Sequence, residues 1–208
     1  MTAGKFIVFE GGTGSGKDTL IELLKKKLAG RTDVVYTHVP GGTPFGEKIR
    51  ELILSPEARD VHPRTELLLF LAAHTELIEK TIRPALAEGK LVVSNRFVLS
   101  TVAYQMYGRQ QLMDFGVARE ALNYITHGIV PDLCLYLDAP PEIAIARAGK
   151  RPETPHRFIE EELAFHERVR EGYRKHLPEF ARKTVTIDTS GAVDAAWKKT
   201  EEVLQSFL

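Results

Sequence analysis

Short apolar runs alternate along the chain with longer segments whose apolar residues recur at helical spacing. Such runs predict β-strands, because they are rich in branched and aromatic residues and are too short to form helices. The predicted strands cover residues 5–10, 34–38, 91–94, 133–138 and 184–188. Strands that alternate with helices favour a parallel sheet, and nearly continuous apolar strands are typical of a sheet covered on both faces. The pattern therefore predicts a doubly wound, three-layer α/β/α fold with a five-stranded parallel sheet.

Helical spacing is clearest directly after the first predicted strand. Leu20, Leu23, Leu24 and Leu28 fall at positions i, i+3, i+4 and i+8, which places them on one face of a helix. Further helices are predicted at residues 44–54, 64–88, 114–126, 141–148, 158–182 and 192–207. Because no repeat or low-complexity linker interrupts this order, we expect a single domain over residues 1–208.

Charge and composition exclude several function classes. The 208 residues include 28 Lys and Arg and 28 Asp and Glu, so no excess positive charge is available for nucleic acid or an anionic membrane. The longest apolar run, residues 67–73, is far shorter than the roughly 20 residues that span a bilayer. Cys134 is the only cysteine and lies inside an apolar run, which fits a reducing compartment. We therefore expect a cytoplasmic protein without nucleic-acid or membrane partners.

A glycine-rich segment between the first strand and the first helix carries the strongest chemical signal. It has the pattern G-x-x-x-x-G-K in the strand, loop and helix order of a phosphate-binding loop (P-loop). Its glycines allow successive backbone N–H groups to point inward, and its lysine can reach the β- and γ-phosphates of a nucleotide. The predicted nucleotide-binding residues are Gly11, Gly12, Thr13, Gly14, Ser15, Gly16, Lys17, Asp18 and Thr19.

Asp18 departs from the usual pattern, which has a magnesium-binding hydroxyl directly after the lysine. Two interpretations stay open for this residue. Its carboxylate is a hard oxygen ligand suited to Mg²⁺, so Asp18 is a candidate metal ligand. Alternatively, Asp18 only favours the helix N-terminus electrostatically.

Further motifs follow the loop in a recognisable order. They read PGGTPFGEKIR at residues 40–50, LLFLAA at residues 68–73, NRF at residues 95–97, AYQ at residues 103–105 and PDL at residues 131–133. Together with the loop, they resemble the thymidylate kinase family in order and spacing, and the resemblance covers essentially the whole chain. It implies a cytoplasmic homodimer that transfers the γ-phosphoryl group of ATP to a nucleoside monophosphate, dTMP above all, with Mg²⁺ as cofactor.

The resemblance also implies roles for individual residues. Arg96 would hold the acceptor phosphate and Phe70 would stack on the base, while the rest of the acceptor site would comprise Arg50, His74, Ser100, Tyr104 and Gln105. Lys17 and Arg96 would act with a lid at about residues 147–157, whose Arg151 and Arg157 would close over the triphosphate. Alternatively, Arg96 has a purely structural role, and Phe70 and Tyr104 are ordinary core residues. The basic segment could likewise be a solvated loop.

Several charged positions of the family are neutral here. Thr13 replaces an acidic residue, His38 and Val39 replace an Arg-Glu pair, His74 replaces an arginine and Asn95 replaces an aspartate. One hypothesis is that Asp18 takes over magnesium from Asn95 and that protonated His74 partly replaces the arginine. The alternatives are a kinase for another nucleotide or nucleoside, with Glu10 as the only obvious base for a nucleoside hydroxyl, and a catalytically weak nucleotide-binding protein with the same fold.

Overall fold

The computed structural model describes residues 4–110, 115–150 and 157–208. Its strands are β1 (Lys5–Glu10), β2 (Val34–His38), β3 (Leu91–Asn95), β4 (Leu133–Asp138) and β5 (Thr184–Asp188). They pair in parallel in the order β2-β3-β1-β4-β5. The predicted α/β fold and its five-stranded parallel sheet are therefore confirmed, and β3 extends one residue beyond the predicted strand.

Helices connect the strands and cover the sheet. The α-helices are α1 (Lys17–Lys27), α2 (Pro44–Leu54), α3 (Pro63–Leu77), α4 (Arg83–Ala87), α5 (Val98–Thr101), α6 (Phe115–Thr126), α7 (Pro141–Ala148), α8 (Leu163–His176) and α9 (Val193–Gln205). Short 3₁₀ segments lie at Pro56–Asp60 and Leu177–Glu179, and π-helical segments lie at Ile78–Ile82 and Val102–Gly108.

The strand side chains alternate between two buried clusters, one on each face of the sheet. Phe6 and Val8 pack with α3, α6 and α8, whereas Ile7 and Phe9 pack with α1 and α9. Both faces are therefore dry, which explains why the strands read as continuous apolar runs. Burial of one such phenylalanine contributes roughly 1.5–3 kcal/mol to the free energy of folding.

Three helical stretches differ from the prediction. The helix expected at residues 64–88 is interrupted by the π-helical segment Ile78–Ile82, just before Pro84, whose ring removes a backbone donor. The helix expected at residues 158–182 begins at Leu163 and ends at His176, two residues before Pro178. Helix α5 and the π-helical segment after it were not predicted, because most of their residues are buried and no amphipathic stripe marks them.

The topology points to one edge of the sheet as the ligand site. Strand β1 lies at the centre; the chain moves to the β2 side after β1 and to the β4 side after β3. In open α/β sheets ligands bind at the carboxyl ends of the strands, where the direction of winding reverses. Within the three described ranges, no helix has the length and apolar character that a membrane crossing requires.

Candidate functional site

The phosphate loop follows β1 and is held in a conformation that only glycine adopts easily. Gly11, Gly14 and Gly16 have φ angles of 142°, 78° and 92°. A Cβ atom on Gly14 would lie 1.9 Å from the carbonyl oxygen of Ala144 in α7, and a Cβ on Gly11 would lie 2.4 Å from that of Leu137 in β4. The loop therefore needs its glycines both for backbone torsion and for close approach to β4 and α7.

Helix α1 begins directly after this loop, at Lys17. Its N-cap residue, Gly16, provides no side-chain cap, so the first N–H groups of the helix are not satisfied in the usual way. Such an N-terminus attracts anions. Lys17 is buried, and its Nζ donates to the carbonyls of Gly11 at 2.9 Å and Gly12 at 2.8 Å and to Ser15 Oγ at 3.2 Å. The amide-lined loop and the ammonium group together can bind a polyphosphate.

Arg96 lies at the carboxyl end of β3, beside the phosphate loop. Its φ of 75° is unusual for a residue with a side chain, and its backbone N–H donates to Phe9 O at 2.9 Å. Its guanidinium Nη1 donates to Gly11 O, Ser100 Oγ and Tyr173 OH at 2.8, 3.0 and 2.8 Å. The guanidinium also lies over the Tyr104 ring, 4.9 Å from its centroid. The carboxyl ends of two adjacent strands and helical segments on one face of the sheet thus fix this cation next to the loop.

Glu10 ends β1 and shares the hydrogen-bond partners Ser100 and Tyr173 with Arg96. It is fully buried, and its carboxylate accepts from the backbone N–H of Phe97 at 2.7 Å, from Ser100 Oγ at 2.6 Å and from Tyr173 OH at 3.1 Å. Burial raises the pKa of this carboxyl above its usual range, although the Ser100 hydrogen bond and the Arg96 charge oppose that shift. With its oxygens occupied inside the protein, Glu10 is not placed to act as the base of a nucleoside kinase.

Asp18 and Asn95 form a second polar group at the mouth of the loop. Asn95 Nδ2 donates to Asp18 Oδ1 at 2.7 Å. Asn95 Oδ1 is buried and has no hydrogen-bond partner among the described residues, and Thr37 Oγ1 nearby on β2 is in the same situation. Asp18, Asn95 and Thr37 all line one cleft with Lys17. This corner of the cleft therefore offers a carboxylate and two unsatisfied neutral oxygens.

Two adjoining cavities open at this edge of the sheet. The phosphate cleft, about 450 Å³, lies beside the phosphate loop and α1 and includes Lys17 and Asp18. The acceptor cavity, about 80 Å³, lies between α3 and the buried segment that follows β3. The residues that line both cavities are Thr13, Val39, Arg50 and Arg96. Two arginines therefore stand at the junction of the cavities.

The acceptor cavity brings together every residue assigned to the acceptor site from the sequence. These are Arg50, Phe70, His74, Arg96, Ser100, Tyr104 and Gln105. Arg50 Nη1 donates to Pro40 O at 2.9 Å, and the Tyr104 hydroxyl lies 2.9 Å from Thr13 Oγ1. Phe70 also packs edge-on against Phe158, with ring centroids 6.2 Å apart, so it is both part of the core and a wall of the cavity.

His74 does not replace an arginine as the sequence suggested. The imidazole is completely buried, and burial lowers its pKa to about 3, so the ring is neutral at physiological pH. Its Nε2 lies 2.9 Å from Thr101 Oγ1, while Nδ1 has no partner among the described residues. The hypothesis of a protonated His74 is therefore wrong, although the ring does line the cavity.

Arg157 does not belong to an exposed loop, contrary to expectation. It is buried, and its guanidinium donates to Ile53 O at 2.8 Å, to Ala58 O at 2.9 Å and to Glu66 Oε2 at 2.5 Å. The physical reason is the carboxylate of Glu66, only 1% exposed, which needs cationic partners. A guanidinium held in this way is not free to close over a triphosphate. Arg151, the other predicted lid arginine, lies outside the described residues.

Arg147, at the end of α7, reaches the loop after β5. It donates to the carbonyls of Thr189, Ser190 and Gly191, at 2.9 Å and 3.0 Å for the last two. A small cavity beside these contacts is also lined by Ser15, Gly16 and Thr19 of the phosphate loop. The resemblance to the thymidylate kinase family implies that the adenine of ATP lies near Thr189, Ser190 and Gly191, and that placement remains a prediction.

Glu66 is the main residue of the site that sequence reasoning missed. It binds Arg157, Arg109 and Gln105 behind the acceptor cavity. A signal was present, because Glu66 precedes Phe70 by four residues and His74 by eight, which puts an acidic side chain on the apolar face of α3. Within the part of the chain that the structure describes, no group of three or more His, Cys, Asp or Glu side chains could hold a metal ion by itself.

Comparisons with known proteins show which family this chain is similar to. A family model described as thymidylate kinase matches residues 9–199. The chain is 41% identical over 209 residues to a thymidylate kinase of Alkalilimnicola ehrlichii, covering 99% of this chain and 94% of that protein. It is 38% identical over 212 residues to one of Oceanobacillus iheyensis, covering 99% and 92%. The crystal structure of a thymidylate kinase from Ehrlichia chaffeensis superposes with a TM-score of 0.77 at 28% identity, covering 98% of this chain and 99% of that one.

Proposed function

We propose that this chain, which belongs to the thymidylate kinase family, transfers the γ-phosphoryl group of ATP to dTMP and so forms dTDP. The observation that carries the proposal is the pair of adjoining cavities with Arg50 and Arg96 at their junction. A donor polyphosphate fits the amide-lined phosphate loop, and a flat base fits the apolar acceptor cavity beside Phe70. The acceptor phosphate would then lie between the two, next to the cations.

The chain's own residues account for most of what phosphoryl transfer requires. The reaction needs little covalent participation from protein groups, and it depends on alignment and on neutralisation of negative charge. Lys17 would contact the β- and γ-phosphates, and its present partners, the Gly11 and Gly12 carbonyls, hold it at the loop. Arg96 would hold the acceptor phosphate, because Tyr104, Tyr173 and Ser100 fix its guanidinium in place. Both cations would face negative charge that develops between donor and acceptor.

Magnesium fits the oxygen-rich corner of the phosphate cleft. Mg²⁺ usually takes one or two carboxylates together with water and substrate phosphates. Asp18 would supply the carboxylate, and the unsatisfied Oδ1 of Asn95 is a neutral oxygen beside it. When bound with ATP, Mg²⁺ supplies charge neutralisation of the phosphate oxygens. Asp18 would thus compensate for the neutral residue at position 95.

The lid, the assembly and the compartment are also part of the proposal. By family resemblance, Arg151 supplies the lid arginine, whereas Arg157 serves a structural ion pair.

A homodimer would cover exposed apolar side chains on α2, α3 and α6, which pack on the same side of the sheet; these are Phe45, Leu52, Leu68, Val117 and Tyr124. A buried free thiol at Cys134 fits a reducing compartment such as the cytoplasm.

The experiment that tests the function is an acceptor panel with ATP and magnesium. ADP release would be measured with dTMP, dUMP, dCMP and dGMP, and without acceptor. We expect release that depends on dTMP and the highest kcat/KM for dTMP. ADP release that is independent of any monophosphate, or no release at all, would contradict the proposal. Lys26→Met, at an exposed position in the last turn of α1, serves as a control that should retain wild-type activity.

A further inference from the structure

A buried ionic cluster lies directly behind the acceptor cavity. Glu66 accepts hydrogen bonds from Arg109 Nη2 at 3.1 Å, from Arg157 Nη2 at 2.5 Å and from Gln105 Nε2 at 3.0 Å. The carboxylate is 1% exposed and Arg157 is 6% exposed. Gln105 also lines the acceptor cavity, so a residue that touches the cavity is tied to a cluster outside it.

The charge of Glu66 determines which end of the Gln105 amide faces it. Burial alone would raise the pKa of the Glu66 carboxyl, but the hydrogen bonds of Arg109 and Gln105 and the charges of both arginines hold it below its ordinary value. An ionised carboxylate accepts hydrogen bonds and donates none. Gln105 must therefore turn its NH₂ group towards Glu66. Its carbonyl oxygen, Oε1, is left buried and without a partner among the described residues.

We infer that Glu66 is a specificity-determining positioning residue: by fixing the Gln105 amide, it makes the acceptor cavity select a pyrimidine that carries an N3–H donor. Thymine and uracil carry this donor, whereas cytosine presents a bare acceptor nitrogen at the same place. A cytosine base would leave Oε1 facing a second acceptor in a buried site. The inference rests on the proposed function, since it concerns how the acceptor base is read.

His74 cannot set this preference by itself. Its neutral imidazole has one donor and one acceptor nitrogen, and the Thr101 hydroxyl beside Nε2 can take either role. The free Nδ1 can therefore adapt to a carbonyl or to an amino group on the base. Of these two residues, it is Gln105 that has a neighbour enforcing one orientation, and that neighbour is Glu66.

The test compares acceptors in a Glu66→Gln variant. An amide at position 66 can donate to Gln105 and allow its side chain to turn over. We expect the ratio of kcat/KM for dTMP to that for dCMP to fall about tenfold to a hundredfold, the range for one mispaired buried hydrogen bond. The matched control is Glu79→Gln, an exposed glutamate that pairs with Arg83 at 3.1 Å, and its ratio should not change.

A double-mutant cycle separates positioning from general loosening of the site. Gln105→Leu removes the amide, so Glu66→Gln should have no further effect on the dTMP to dCMP ratio in that background. An equal effect with and without Gln105 would overturn the inference. So would an unchanged ratio in a folded Glu66→Gln protein that still phosphorylates dTMP, and in that case the proposed function itself would stand.

A crystal structure of the wild-type protein with dTMP keeps the inference testable if Glu66→Gln does not fold. We expect Gln105 Nε2 to stay on Glu66 and Oε1 to lie within hydrogen-bond distance of N3 of the base. A base that contacts neither end of Gln105, or an amide that has left Glu66, would refute the role of Glu66. Absence of dTMP from the acceptor cavity would instead count against the proposed function.

Discussion

The phosphate loop takes its shape from backbone torsion angles and backbone contacts, whereas the acceptor cavity takes its shape from side chains of distant segments. Gly11, Gly14 and Gly16 set the loop through torsion angles and close backbone contacts. In the cavity, Arg96 is held by Tyr173, and Gln105 is held by Glu66, 39 positions away. The glycine positions of the loop tolerate almost no change of residue, while the cavity can change its residues if the network of contacts is kept. The glycine pattern is accordingly intact, whereas the cavity has a neutral residue at His74.

The largest effect is expected when the loop loses its only lysine. Lys17→Met keeps the length and apolar stem of the side chain but removes the charge, so kcat should fall about 10²- to 10³-fold, as for loss of a group that stabilises transition-state charge. Steady-state ADP release measures it. The matched control, Lys26→Met, is an exposed residue in the last turn of the same helix. A comparable loss in both variants would deny Lys17 a special role.

Arg157→Gln tests the other region, and its main effect should be on stability. The substitution leaves the buried Glu66 with one arginine fewer, and loss of a buried ionic partner costs about 3–5 kcal/mol of unfolding free energy. Urea denaturation measures this cost. At a temperature where the variant is folded, the KM for ATP should remain that of wild type. An unchanged urea midpoint together with a raised KM for ATP would instead support the lid role that the sequence predicted for Arg157. Arg83→Gln, which breaks an exposed pair, should cost less than about 1 kcal/mol.

Comparison of Gly14→Ala with Gly30→Ala separates the effect of backbone torsion from that of the close contact between the loop and Ala144. Gly14 and Gly30 both have positive φ, 78° and 93°, but only at Gly14 does a Cβ meet a backbone carbonyl. Gly14→Ala should therefore displace the loop and lower kcat/KM by about 10²-fold, because a shift of about 1 Å has effects of that size. Gly30→Ala should cost about 1 kcal/mol in stability and nothing in kcat/KM. Equal kinetics of the two variants would mean that the Ala144 contact does not shape the site.

Asp18→Asn tests the proposed magnesium corner with almost no change in shape. Loss of the carboxylate should raise the magnesium concentration needed for half-maximal rate about tenfold, the lower end of the effect of changing a metal-binding residue or its hydrogen-bond partner. A magnesium titration at fixed ATP measures this. Glu22→Gln, one turn further along α1 in the same cleft, is the control. An unaltered magnesium requirement would leave Asp18 with only its effect on the helix N-terminus.

The smallest expected effect concerns His74. The dependence of activity on pH should show no step that comes from this residue. With its pKa lowered from 6.5 to about 3 by burial, the ring stays neutral across pH 5–8. Its NMR signals should therefore not titrate in the folded protein and should titrate normally in urea. Because the unfolded chain takes up this proton below pH 6.5 and the folded chain does not, stability should decline by about 1.4 kcal/mol per pH unit below that value. A folded-state midpoint near pH 6.5 would refute the neutral ring.

The sequence predicted best what depends on neighbouring residues. The strands, the glycine loop and most helix positions follow from local apolar spacing and from residues that break helices. Helix α5 and the segment after it were missed because they are buried on all sides, so no stripe distinguishes them. The loss of helix at residues 158–162 was missed because Arg157 and Phe158 turn inward to Glu66 and the aromatic core.

In the acceptor site, too, some features could be predicted from the sequence and others could not. Resemblance to a family named the residues of the cavity, but it could not give their charge states or partners. His74 is neutral because every side of it is covered, and Arg157 is structural because Glu66 lies opposite. Both facts depend on contacts between segments far apart in the chain, which no local pattern records.

The backbone carbonyls that leave no room for a Cβ atom at Gly11 and Gly14 belong to Leu137 and Ala144, which a ribosome adds long after the loop itself. At about 5–20 residues per second, a nascent chain carries the finished loop sequence for roughly 10 s before those two residues are added. We therefore expect nucleotide capture during synthesis to wait until β4 and α7 have been added. Stalled chains that end before residue 133 should not be retained on ATP-agarose, even though they contain the entire glycine motif.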